Sequence, residues 1–280
     1  MNKRFLVFLS SRKSWTLPYI IFSAIFVIIP LVLIVVYAFT DDNGHLTFAN
    51  FQKFFEHPEA INTFVYSIGI AIITTLICIL LGYPAAWILS NSKLNRSRTM
   101  VVLFILPMWV NFVLRIMAWQ LLLSRNGIIN ALLGALGLPG QHLANSNVAI
   151  VIGMVYDYLP FMILPVYNAV SELNEDILEA ARDLGAPPKA VLTKIMIPLT
   201  MPGIISGITM VFVPSLTTFA IPDILGGGKI MLIGNIIEQE FSTSMNWNLG
   251  SGLSIALMIF VLISMMFTSK TDAGKERSVW

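Results

Sequence analysis

Six long stretches of this chain are mainly apolar, and the polar residues gather between them. They cover roughly 16–39, 62–89, 100–123, 148–170, 201–222 and 249–268. A helix needs about 20 apolar residues to cross the hydrocarbon of a bilayer. The pattern therefore predicts an all-α, polytopic membrane protein of about six transmembrane helices. Pro30, Pro84, Pro107, Pro160 and Pro214 fall within or near the stretches. Such breaks are held in membrane helices where neighbours satisfy the freed carbonyls. Gly203 and Gly207 form a GxxxG in the fifth stretch, a spacing suited to close helix approach. Phe48–Phe55 and Ile128–Leu136 alternate as short amphipathic segments, expected to lie along the outer surface or pack between spans.

The placement of Lys and Arg orients the bundle. Lys3, Arg4, Arg12 and Lys13 precede the first stretch, and Lys93, Arg96 and Arg98 lie in the 90–99 loop. Arg182, Lys189 and Lys194 lie in the 171–200 loop, and Lys270, Lys275 and Arg277 in the tail. The alternate loops hold only Lys53, Arg125 and Lys229. Both termini and the 171–200 loop are thus expected in the cytoplasm. The resulting division is a cytoplasmic segment 1–15, a first transmembrane helix 16–39, a core transmembrane domain 62–268 and a cytoplasmic tail 269–280. Trp15–Phe39 is too long for a signal-peptide apolar region and runs into Asp41-Asp42 without a cleavage site, so it reads as a span.

Composition narrows the chemistry. Of 280 residues, 56% are hydrophobic and 11% charged, with mean hydropathy +0.80. A soluble domain carries roughly a quarter charged residues, so the partner implied for most of the surface is the lipid bilayer. Net charge is +2, and no nucleic-acid partner is expected. The lone Cys78 can build neither a disulfide framework nor a cysteine metal site. The 14 methionines are scattered among aliphatic residues as packing material. His45, His57 and His142 lie in external loops with no metal-ligand spacing and no nucleophile beside them. The Gly226-Gly227-Gly228 turn lacks the preceding strand and the Lys-Ser/Thr of a phosphate cradle. No catalytic residues and no cofactor are expected, and any ATP hydrolysis belongs to another chain.

The 171–200 loop differs from the others because it reads as two short helices. Asn174 is a candidate N-cap, with Glu175 and Asp176 in the first turn where the helix dipole favours them. Leu173, Ile177, Ala180 and Leu184 fall on one apolar face. Gly185 suits a left-handed cap, Pro187 blocks continuation, and Pro188 opens a second helix that runs through Lys194 and Ile195. Pro198 and Pro202 then mark the return to the membrane. On residues alone this unit either docks into a groove of another protein or lies on lipid headgroups.

The run Glu179-Ala180-Ala181, then Gly185, then Ile195-Met196-Ile197-Pro198, resembles the EAA signature of ABC importer permeases, E-A-A-x3-G-x9-I-x-L-P. The spacing matches throughout, with Ile197 where Leu is usual. Gly82-Tyr83-Pro84-Ala85-Ala86-Trp87, Pro107-Met108-Trp109-Val110-Asn111, Leu159-Pro160-Phe161-Met162 and Leu232-Ile233-Gly234-Asn235 extend the likeness over nearly the whole chain. They resemble the PotB-type permeases of spermidine/putrescine importers, and the PotC-type partner less. The resemblance implies a type I ABC importer permease (MetI-like) fold in a bacterial inner membrane. It further implies ATP-binding subunits below, a second related PotC-like permease subunit alongside, and an extracytoplasmic substrate-binding protein. Glu179, Ala180, Ala181, Gly185, Ile195 and Pro198 would then form the surface that seats in the ATPase.

Two ionisable residues fall inside spans, where a charge costs at least ~2.5–3.5 kcal/mol. Arg115 lies midway along the third stretch, as a structural ion pair or carbonyl anchor, or as a gate towards a cationic substrate. Asp157 stands between Tyr156 and Tyr158 in the fourth. A carboxylate flanked by aromatic rings suits a polyamine, through charge and cation–π attraction. The alternative is that Asp157 and Arg115 neutralise each other. Asp157, Tyr156, Tyr158, Trp109 and Arg115 are the candidate substrate path. The competing functions are the same mechanism with another small solute or ion, and a self-sufficient secondary transporter or channel.

Overall fold

The structure is a computed structural model that describes residues 16–41, 43–56, 58–91, 103–140 and 143–276. The basic N-terminal segment, the 93–98 cluster, His57, His142 and Arg277 lie outside the described residues. Among the described residues the only β pairing is an isolated bridge between Thr40 and Leu46. The helices, in chain order, are α1 (Leu17–Ser23), α2 (Ile29–Ala38), α3 (Ala49–Glu56), α4 (Pro58–Asn91), α5 (Phe112–Leu123), α6 (Ile128–Ala135) and α7 (Asn147–Ser171). After them come α8 (Glu175–Asp183), α9 (Pro188–Ala190), α10 (Ile197–Leu199), α11 (Met201–Thr217), α12 (Ala220–Leu225), α13 (Ile233–Ser242) and α14 (Trp247–Glu276). Among the described residues, four helices are long and apolar enough to cross a membrane, or up to six if each of two bent pairs is one span.

By compactness the chain divides into two units, residues 1–58 with 237–260 and residues 59–236 with 261–280. In the first, α1 and α2 form one apolar rod joined by a π-helical turn at Ala24–Ile28. Pro30 has no N–H and its ring crowds the carbonyl four residues back, and the widened turn absorbs that crowding. Phe22, Phe26 and Leu33 on this rod are all exposed, as suits a helix facing lipid. Asn50 of α3 closes the end of α2, its Nδ2 donating to Ala38 O at 3.0 Å and to Thr40 O at 2.9 Å. Carbonyls left without helical partners are thereby satisfied. Phe54 is buried and Phe55 exposed, so the segment expected at Phe48–Phe55 holds an amphipathic helix, α3, that begins one residue later at Ala49. Trp247 packs edge-on against Phe241, 5.6 Å between ring centroids.

The second unit holds the main core, in which Met154, Met162, Ile163 and Val166 of α7 meet Cys78 of α4 and Val211 of α11. Met162 explains the small residues around it. A Cβ added at Gly82 would fall 2.7 Å from its Cγ, and one at Gly207 2.6 Å from its Sδ. Gly203, one turn earlier, sits against Pro165 O and Ala169 of α7. The GxxxG face of α11 is therefore packed against α7.

Two predicted spans need correction. The third, 100–123, is not one helix: Leu103–Trp109 and Phe112–Ala135 meet at 97°. Val110 is extended, and the Asn111 side chain accepts from Val113 N and Leu114 N, starting a new helix. A polar N-cap inside an apolar stretch overrides the hydropathy pattern. The fifth, 201–222, ends at Thr217, because Thr218 is extended and α12 starts afresh at Ala220. Asn235 holds that break, donating from Nδ2 to Phe219 O at 2.8 Å while its Oδ1 accepts from Leu232 N at 3.0 Å.

Candidate functional site

The 171–200 loop is built as its residues dictate. Asn174 Oδ1 accepts from Asp176 N at 2.9 Å, and Glu175 and Asp176 occupy the first turn of α8. At the other end Gly185 adopts φ +79°, a left-handed conformation that costs a residue with a Cβ roughly 1–2 kcal/mol. That geometry lets Gly185 N donate to Arg182 O at 2.9 Å and Ala186 N to Ala181 O at 3.0 Å. Both bonds of a Schellman cap are present, so the end of α8 is sharply defined. Pro187 is extended, and Pro188 starts an arm made of α9, a π-helical stretch Val191–Met196 and α10. The arm meets α11 at a 69° bend.

Of the apolar face expected on α8, only Leu173 reaches the core, and the side that packs is a different one, carried by Leu178 and Ala181. Ile177, Ala180 and Leu184 remain exposed, Leu184 by 89%. Glu179 and Pro198 are also exposed, while Ile195 is half-buried. An exposed Ile-Ala-Leu stripe on a capped helix leaves apolar area uncovered, and covering a leucine is worth about 1.5–3 kcal/mol.

The membrane-embedded charges come together. Arg115 Nη1 of α5 lies 3.0 Å from Asp157 Oδ1 of α7, with both side chains nearly buried. The contact is electrostatic: neither Asp157 oxygen nor Arg115 Nε has a hydrogen-bond partner among the described residues. Phe112 lies beneath the guanidinium, 6.0 Å from ring centroid to Cζ. Tyr156 is partly exposed and meets Trp119 edge-on at 5.4 Å. Tyr158 turns elsewhere, its hydroxyl donating to Pro214 O of α11 at 3.4 Å. Trp109 belongs to the short 3-10 turn Leu106–Trp109 and is exposed. Trp119 and Gln120 were not among the sequence candidates. Gln120 Nε2 donates to Ile224 O at 3.0 Å and ties α5 to α12. Neither residue carries a local signal, because each sits in an apolar stretch that specifies no partner. His45, the one described histidine, pairs with Asp41 at 3.6 Å.

Comparison with known proteins places these features in a wider set. The family described as binding-protein-dependent transport system inner membrane component matches residues 13–271. The spermidine/putrescine transport system permease protein PotB of Haemophilus influenzae is 37% identical over 262 residues, 91% of this chain and 91% of that protein. PotB of Escherichia coli is 35% identical over 251 residues, 86% of this chain and 90% of that protein. Among solved structures, a chain of a bacterial alginate ABC transporter in complex with an alginate pentasaccharide-bound periplasmic protein superposes with a TM-score of 0.72. It covers 91% of each chain at 16% identity, a likeness of fold alone.

Proposed function

Because the chain belongs to the family of binding-protein-dependent transport system inner membrane components, we propose that it is the membrane permease subunit of an ATP-driven polyamine importer. The observation that carries the substrate class is the identity of 37% with a spermidine/putrescine permease over 91% of both chains. The partners follow from the family's design: an ATPase dimer supplying hydrolysis, a second related permease subunit, and an extracytoplasmic binding protein delivering the solute. The chain itself is the non-catalytic path. In this reading α8 is the coupling helix. Exposed Glu179, Ala180 and Leu184 present its docking face, Ala181 and Gly185 fix its end, and Ile195 and Pro198 belong to the arm behind it.

Asp157 lines the path, with Tyr156 beside it as an aromatic face for an ammonium group. Arg115 holds the carboxylate in place between passages, Tyr158 anchors α7 to α11, and exposed Trp109 stands at the end of the path formed by the third stretch. The Asp157 carboxylate is supported in this role by its second oxygen, Oδ2, which has no hydrogen-bond partner among the described residues and can receive an ammonium N–H. The test is uptake of radiolabelled spermidine in a strain lacking its own polyamine importers. Uptake is expected to require the ATPase and the binding protein. Uptake that survives loss of the ATPase would refute the importer reading, and ATP-dependent uptake of a different solute alone would refute the polyamine.

A further inference from the structure

Thr200 stands where the arm Pro188–Leu199 meets α11, and it is fully buried. Pro198 and Pro202 flank it, and each withholds an N–H from the helical ladder. Two ladder bonds are thus missing at the joint, while Thr200 N still donates to Met196 O at 2.9 Å and Ile204 N to Thr200 O at 3.1 Å. The Thr200 hydroxyl has a single proton, committed to Met196 O at 2.8 Å, which leaves its oxygen to accept. The group that meets it is the Tyr83 hydroxyl of α4, 3.2 Å away, so Tyr83 is the donor. Tyr83 is itself buried, and its segment of α4 is held firmly. Gly82 touches Met162 of α7, and Ala86 and Leu89 are buried beyond it. A hydroxyl on a fixed wall is therefore aimed at the bend between the docking arm and a spanning helix.

We propose that Tyr83 is a positioning residue for energy coupling, whose hydrogen bond to Thr200 pins the joint as a pivot. With the joint pinned, displacement of α8 rotates α11 against α7. Without it, the arm slides and the stroke is lost before it reaches the membrane. The inference rests on the coupling role of α8 given above.

The experiment uses the whole complex in proteoliposomes and reads radiolabelled spermidine taken up per ATP hydrolysed. Tyr83→Phe is expected to lower that ratio about 3- to 10-fold, the scale set by one net hydrogen bond, with the complex still assembled and its unfolding midpoint lowered by no more than about 4 °C. Thr200→Val removes the same acceptor and is expected to lower the ratio similarly, the double variant falling no further than the worse single. Thr200→Ser keeps the hydroxyl and retains the wild-type ratio. An unchanged ratio in Tyr83→Phe overturns the proposal, as do losses that multiply in the double variant or that accompany dissociation of the complex. A wild-type complex that moves spermidine without ATP removes the importer reading and this inference with it, whereas one that hydrolyses ATP without moving spermidine removes the polyamine alone, and the ratio is then read with the solute it does move.

Discussion

Replacing Asp157 by Asn removes one member of a charge pair held at 3.0 Å with almost no solvent access. At an effective dielectric of about 20, the attraction at this distance is about 5 kcal/mol. Much of it offsets the desolvation of both groups, so the pair itself adds little net stability. Breaking it is different, because Arg115 is then left charged and buried without a counter-ion, at a cost of about 3–5 kcal/mol. Asp157→Asn is therefore expected to reduce the assembled, detergent-stable permease sharply, measured by thermal unfolding of the purified complex. The double variant Arg115→Met/Asp157→Leu carries no charge and is expected to regain wild-type stability or exceed it. Its uptake should stay low, since the carboxylate that receives the ammonium is gone. Wild-type stability of Asp157→Asn would refute the ion-pair reasoning. Wild-type uptake by the double variant would show that the pair is structural and no part of the path.

Three further outcomes follow from local geometry. Gly185→Val forces a β-branched residue to φ +79°, with a cost of at least about 1–2 kcal/mol at the α8 cap; co-purification of the ATPase subunits should fall, while Asn, which tolerates this conformation, should largely retain it. Gly203→Leu drives a side chain into Pro165 O and Ala169, where even a Cβ would approach within 2.6 Å; loss of the assembled permease on size-exclusion chromatography is expected. In the turn after α2, Asp41 is held below the usual aspartate value of 3.8, chiefly by the His45 backbone N–H at 2.8 Å and also by Asn43 N at 2.9 Å. A depressed carboxyl lends its order to the turn above that value and withdraws it as the pH falls through the lower folded value. Amide signals of Asn43 and His45 should shift in that acid window, and not in Asp41→Ala.

Much was legible in the chain because the bilayer imposes a single demand on it. A solvent that satisfies no backbone group forces helices of one minimum length, so the stretches at 16–39, 62–89, 148–170 and 249–268 appear as helices close to where hydropathy puts them. The α8 loop was legible for a second reason. Its cap, its left-handed glycine and its prolines act within a few residues, and such local chemistry is written in order along the sequence. Identity to the permease family is likewise carried by residues in sequence.

Tertiary structure decided what depends on a partner from elsewhere. Hydropathy predicts 100–123 and 201–222 as spans with Pro107 and Pro214 in them, yet the chain turns at Asn111 and Thr218, and Asn235 supplies the bonds for the second break from 16 residues beyond Phe219. Asp157 could be read equally as a path residue or as a partner for Arg115, since 42 positions separate the two in sequence and only packing of α5 on α7 sets them 3.0 Å apart. Tyr83 and Thr200 meet across 117 positions. Short-range hydrogen bonding and a uniform solvent are encoded residue by residue. Which helix faces which, and therefore which buried polar group finds its complement, is settled by the fit of side chains such as Met162 between Gly82 and Gly207.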